Sequence, residues 1–169
     1  MTTKFNFLVF WLVFAGSLQA AGEQEEKLGD GMVNPGHHSQ PEWFHQSFLD
    51  LGEDVADAAS DGKRVLLYMY QDGCPYCGKM IQDNFGNRDV SQKTRKHFNV
   101  IAINLWGDKE VTGLKGEQTT EKDFARSLGV QFTPTLIYLD ETGKVVLRLN
   151  GYYPPHQFAA TIDYIGNKL

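Results

Sequence analysis

Apolar and polar positions along the chain change period several times, and each change marks an element. Trp43, Phe44, Phe48, Leu51, Val55 and Ala58 recur at helical intervals and stop at Gly62, which predicts an amphipathic helix across most of 47–60. Val65 to Tyr70 has no polar alternation, the mark of a strand buried on both faces of a sheet. A helix opened by Cys74 is predicted to run to about Phe85. Gly86-Asn87 loosens it before a second helical stretch near Asp89 to His97. The run 99–104, centred on Val100, Ile101, Ala102 and Ile103, reads as a second buried strand. Strand, helix and strand in that order imply a right-handed parallel crossover.

Residues 106–119 are polar and contain Gly107, Gly113 and Gly116, a length that predicts a functional insertion or a mobile loop. Thr120 with Asp123 three residues on resembles a helix N-cap, and Gly129 is a natural stop, so a short helix is expected over 121–128. Thr135 to Leu139 and Lys144 to Leu149 flank the turn residues Asp140-Glu141-Thr142-Gly143, as in an antiparallel hairpin. Pro154-Pro155 starts a last helix with Phe158, Ile162 and Ile165 on one face. The succession predicts an α/β sandwich built on a mixed sheet.

The N-terminus has a different texture. Lys4 precedes an apolar run from Phe5 to Ala15 broken only by Asn6, and small residues follow as far as Gly22. That run is too short for a comfortable membrane span, and its flanks suit a cleaved signal peptide over 1–20; an uncleaved anchor is the alternative. Residues 21–42, polar and charged with Pro35 and Pro41, read as a flexible leader, which leaves 43–169 as the domain. The formal net charge is −5, and loss of Lys4 with the signal peptide makes the remainder slightly more acidic. No Lys/Arg cluster forms a nucleic-acid footprint or a dense membrane patch, so the expected partners are proteins or small thiols, not nucleic acid.

The chemistry is concentrated in Cys74-Pro75-Tyr76-Cys77, which holds both cysteines of the chain. A strand that delivers Cys74 to the start of a helix puts its sulfur beside backbone N–H groups and the positive end of the helix dipole, which favour thiolate over thiol. Pro75 fits the first helical turn, where it has no N–H to lose. Cys74 is then the nucleophile and Cys77 the resolving thiol. Two other readings stand beside this one. A structural zinc site needs four ligands, and His37 and His38 are the candidates to complete it, although they lack the usual spacing. A purely structural disulfide closes so short a loop that it restrains the unfolded chain very little.

Over roughly residues 47–168 the chain resembles the thioredoxin superfamily. Cys74-Pro75-Tyr76-Cys77 follows the first core strand, Thr133-Pro134 precedes the third, and Gly151 follows the fourth. The resemblance implies a thioredoxin-like three-layer sandwich with a central mixed four-stranded sheet flanked by helices. It also implies a cis Pro134 against the redox disulfide, and a substrate groove formed by Pro75, Tyr76, Thr133 and Pro134. No cofactor beyond the Cys74–Cys77 disulfide and no metal are implied.

More narrowly, the export signal, Cys74-Pro75-Tyr76-Cys77, the Asn104-Leu105-Trp106-Gly107 segment with its insertion and Phe132-Thr133-Pro134-Thr135 are similar to the exported SoxW-type thioredoxins of bacterial sulfur oxidation. That resemblance implies a monomeric periplasmic reductant of disulfide-containing proteins, recharged by a membrane donor of the CcdA or DsbD class. Glutaredoxin-like exchange, cytochrome c maturation and a non-catalytic binding module of the same fold are the rival readings. Two departures are visible. Tyr68 stands where thioredoxin has a buried aspartate, either lending its hydroxyl or filling core volume, and Gly73 replaces the tryptophan before the first cysteine. His45, at the approach to the first helix, could cover the site or simply lie on the surface.

Overall fold

The structure is a computed structural model that describes residues 39–168. The expected signal peptide, most of the leader, and His37 and His38 lie outside the described residues. The helices are α1 (Leu51–Ser60), α2 (Pro75–Met80), which continues as a π-helical turn over Ile81–Phe85, α3 (Arg88–His97), α4 (Glu121–Ser127) and α5 (Pro155–Lys168). The strands are β1 (Arg64–Tyr70), β2 (Phe98–Asn104), β3 (Glu110–Thr112), β4 (Gln118–Thr120), β5 (Thr135–Leu139) and β6 (Val145–Asn150).

Four strands form one mixed sheet in the order β2-β1-β5-β6. β1 runs parallel to β2, with Tyr70 opposite Asn104, and antiparallel to β5, with Tyr68 opposite Leu136. Because successive side chains of a strand point to opposite faces, β1 splits its apolar run between two cores. Leu66 and Tyr68 join Phe44, Met80, Phe85, Phe158 and Ile162 on the face carrying α2, α3 and α5. Val65, Leu67 and Met69 join Leu51, Val55, Ala58, Ile103 and Phe124 on the face carrying α1 and α4. The result is a three-layer sandwich. Full burial of each Val, Leu, Ile, Phe or Met side chain among these contributes about 1.5–3 kcal/mol.

Five sequence expectations need correction. The helix expected over 47–60 begins only at Leu51, because Leu49 has a left-handed φ of 64° and Asp50 is the N-cap, its carboxylate accepting from the Glu53 N–H. Phe48 therefore falls before the helix and stands in solvent. Trp43 and Phe44 do not extend the stripe of α1 either. They pack on the opposite face of the sheet, where Phe44 meets Phe85 edge-to-face at 5.0 Å. The helix expected from Cys74 to Phe85 is α-helical only as far as Met80 and π-helical beyond it.

Within 106–119, finally, the structure places β3 and part of β4, which pair with each other as a hairpin. Fully buried Val111 pins that hairpin to the α1 face, and Thr112 donates its N–H to the Leu49 carbonyl at 2.8 Å. β2, expected to be buried throughout, is an edge strand, so Asn99, Ala102 and Asn104 are only half-buried.

Candidate functional site

Gly73 follows β1 with φ +71°, a left-handed conformation that costs glycine nothing and would strain the bulky residue that thioredoxin carries there. Its turn delivers Cys74 in an extended conformation as the N-cap of α2, with Pro75 in the first turn. The Cys77 N–H donates both to Cys74 Sγ at 3.1 Å and to the Cys74 carbonyl at 3.0 Å. Cys74 and Cys77 form a disulfide with a Cα–Cα distance of 5.2 Å. Their exposures are 5% and 1%. Both residues are buried, Cys74 slightly less deeply than Cys77.

The segment before β5 closes over this bond. The Thr133–Pro134 peptide is cis, the Thr133 hydroxyl donates to Cys74 Sγ at 3.4 Å, and the Thr133 carbonyl oxygen lies 3.6 Å from the same sulfur. The Pro134 carbonyl accepts from the Gly151 N–H at 2.7 Å, which ties this loop to the end of β6. Of the four residues expected to form the groove, Thr133 touches the reactive sulfur and Pro134 is buried beside it in sequence. Pro75 and Tyr76 face solvent, Tyr76 at 62% exposure.

Beneath the disulfide the Tyr68 hydroxyl donates to the Cys77 carbonyl at 3.1 Å. Both possible roles of Tyr68 therefore coexist: its ring is core, between Phe44, Tyr70 and Phe85, and its hydroxyl supports the active-site helix. Burial pushes the Tyr68 phenol well above its ordinary range, so it stays protonated at neutral pH. His45 engages neither cysteine. Its Nε2 lies 3.3 Å from Asp54, whose carboxyl is raised by burial.

Sequence reasoning missed a second layer of support. The Tyr152 hydroxyl donates to Asp83 Oδ2 at 2.7 Å, and Lys79 Nζ lies 3.0 Å from that oxygen, so the loop after β6 is clamped to the active-site helix. Burial and the Asp83 carboxylate push the Tyr152 phenol up to about 12. Asn84, in the π-turn, is wholly buried and donates to the Tyr153 carbonyl at 3.0 Å, a second tie to the same loop. In the sequence this loop was marked only by Gly151 after the fourth strand and Pro154-Pro155 at the start of the last helix. Among the described residues no group of three or more His, Cys, Asp or Glu side chains could hold a metal ion.

Residues 51–166 match the family described as a thioredoxin-like domain. The thiol:disulfide interchange protein DsbD of Actinobacillus pleuropneumoniae serotype 5b (strain L20) is 26% identical over 115 residues, which cover 67% of this chain but only 18% of that relative. A thioredoxin-fold protein from Helicobacter pylori superposes with TM-score 0.56 and 26% identity, over 73% of this chain and 84% of its own. A thioredoxin from Thermus thermophilus gives TM-score 0.56 and 25% identity, over 70% and 85%.

Proposed function

The chain belongs to the thioredoxin-like family and is a thiol–disulfide oxidoreductase, and from that premise we propose that it acts outside the cytoplasm as a reductant of disulfides in partner proteins. The observation that carries the mechanism is the placement of Cys74 at a helix N-cap, with the Thr133 backbone alongside its Sγ. In the reduced protein Cys74 attacks one sulfur of the partner disulfide. That bond breaks, a mixed disulfide forms, and the first partner thiolate leaves and takes a proton. Cys77 then attacks Cys74 Sγ, the second partner thiol is released, and the Cys74–Cys77 bond closes. Two electrons and two protons have passed to the partner.

The chain holds no third cysteine, so an outside donor must restore its dithiol. A membrane thiol transporter of the CcdA or DsbD class fits that role, and the match to a DsbD supports such an exchange partner. The signal-like 1–20 segment supports export to the periplasm, and the SoxW-type reading is the narrower form of the same proposal. The test has two parts. A Cys77→Ser variant should accumulate as a mixed disulfide whose partner mass spectrometry identifies. Acid trapping with an alkylating mass tag should find the wild-type protein largely reduced in cells and oxidised once the transporter is deleted. A protein that is fully oxidised in both strains would overturn the reductant reading.

A further inference from the structure

Trp106 is 66% exposed and Phe132 is 64% exposed, and each is carried by a segment that meets the active site. A large aromatic ring held in water is costly unless something covers it. Trp106 is held firmly. Its backbone N–H donates to Asn104 Oδ1 at 3.0 Å and its indole N–H to Gln71 Oε1 at 3.1 Å, three residues before Cys74. The turn beneath it is fixed as well: Gly107 N–H donates to the Asn104 carbonyl, Lys122 N–H to the Gly107 carbonyl, and Asn104 N–H to the Glu121 carboxylate, each at 3.0 Å. Leu105 N–H donates to the Tyr70 carbonyl at 2.7 Å, which places this turn at the same sheet end as the disulfide.

Between this turn and α4 lies a groove of about 290 Å³, lined by Leu105, Trp106, Lys122, Arg126, Val130 and Gln131. Gln131, in the lining of the groove, is followed in the chain by Phe132 and by Thr133, whose carbonyl oxygen lies 3.6 Å from Cys74 Sγ. Its floor is apolar and its α4 wall is basic. No described residue forms an ion pair with the Lys122 ammonium, and Arg126 pairs only with exposed Asp123. On a chain of net charge −5 this edge is a local exception.

We propose that the groove selects the partner: an extended segment of the polypeptide being reduced lays a bulky apolar side chain against Leu105 and Trp106 and an adjacent carboxylate beside Lys122. The proposal rests on the assignment of Cys74 as the nucleophile, and it adds to that assignment the class of sequence around the disulfide it attacks.

Reduced full-length protein is mixed with disulfide-bonded peptides that carry Phe-Glu, Phe-Lys, Ala-Glu or Ala-Ala beside the cysteine, and with 5,5′-dithiobis(2-nitrobenzoate), which carries no peptide to lie in the groove. The Phe-Glu peptide should be preferred about tenfold over Ala-Ala in kcat/KM, mainly through KM. Trp106→Ala should abolish that preference and leave the small disulfide untouched, with Trp106→Phe retaining most of it. Lys122→Glu should turn the preference from Phe-Glu to Phe-Lys. Equal rates for all four peptides, or variants that slow the small disulfide as much as the peptides, would overturn the groove while leaving the redox assignment intact. Failure of the wild type to reduce the small disulfide would overturn the redox assignment and this proposal with it.

Discussion

The Tyr68 hydroxyl donates to the Cys77 carbonyl oxygen across 3.1 Å of buried space. The acceptor is not left alone when that bond is lost, since the Ile81 N–H also reaches the Cys77 carbonyl. Tyr68→Phe should therefore cost only about 1 kcal/mol, the usual net worth of one such bond. Because the phenol is raised far above neutrality, it cannot act as the base for Cys77, and insulin reduction should proceed at a rate close to wild type. Chemical denaturation and a turbidity assay on the same preparation measure both. A tenfold slower turnover with unchanged stability would show that the hydroxyl does take part in proton transfer.

The two sulfurs should differ in reactivity. Cys74 is the slightly more exposed of the two and sits at the helix N-cap, while Cys77 lies within α2 against the core. Limited alkylation of the reduced protein at pH 7 should label Cys74 at least about tenfold faster, since attack requires both thiolate and access. Peptide mapping gives the ratio directly, and equal labelling would reverse the proposed order of nucleophile and resolving thiol.

Thr133 contributes a hydroxyl donor to Cys74 Sγ at 3.4 Å. Thr133→Val keeps the shape of the side chain and removes the donor. Less stabilisation of negative charge on the sulfur should slow alkylation of Cys74 at neutral pH by about threefold, as a weak hydrogen bond to a charged group warrants. An unchanged rate would leave Thr133 with its backbone contact alone.

Arg64 and Glu141 form an ion pair at the far end of the sheet from the disulfide. The buried guanidinium donates through Nε to Glu141 Oε1 at 2.7 Å and through Nη1 to the Ile165 carbonyl at 2.9 Å. The hydrogen bond from Arg64 holds the Glu141 carboxyl below its ordinary range. A depressed carboxyl stabilises the fold above its unfolded value, and that contribution is lost as pH falls through the folded value. Glu141 is more than half exposed, so Glu141→Gln should cost no more than about 1 kcal/mol at pH 7. Denaturation midpoints of the two proteins should converge as the carboxyl protonates in acid. A constant gap across pH would assign the effect to something other than charge.

The four strands of the main sheet and the cysteine motif were legible because each is a local signal. Val65 to Tyr70 is an unbroken apolar run, and Cys74-Pro75 announces a helix start whatever surrounds it. The failures occurred where identical local patterns have different tertiary outcomes. Phe44 and Leu51 are seven residues apart, as on one helical face, yet Leu49 turns the chain between them and sends the two side chains to opposite sides of the sheet. The hairpin in 106–119 was hidden because its strands have three residues each and only Val111 is buried. Trp106 was visible as a tryptophan in a polar stretch. Its orientation depends on Gln71 and Asn104, partners that no spacing rule connects.

The sheet also divides labour. Cys74, Cys77 and Met80 belong to the core on one face, whereas Leu105 and Val130, which line the proposed groove, belong to the core on the other. The strands β1, β2 and β5 send side chains into both cores, and a substitution that repacks one core reaches the other through them. Descendants of this chain could then inherit the same electron-transfer chemistry unaltered while the α4 face drifts toward a new client, a route by which duplicated copies diversify without passing through an inactive ancestor.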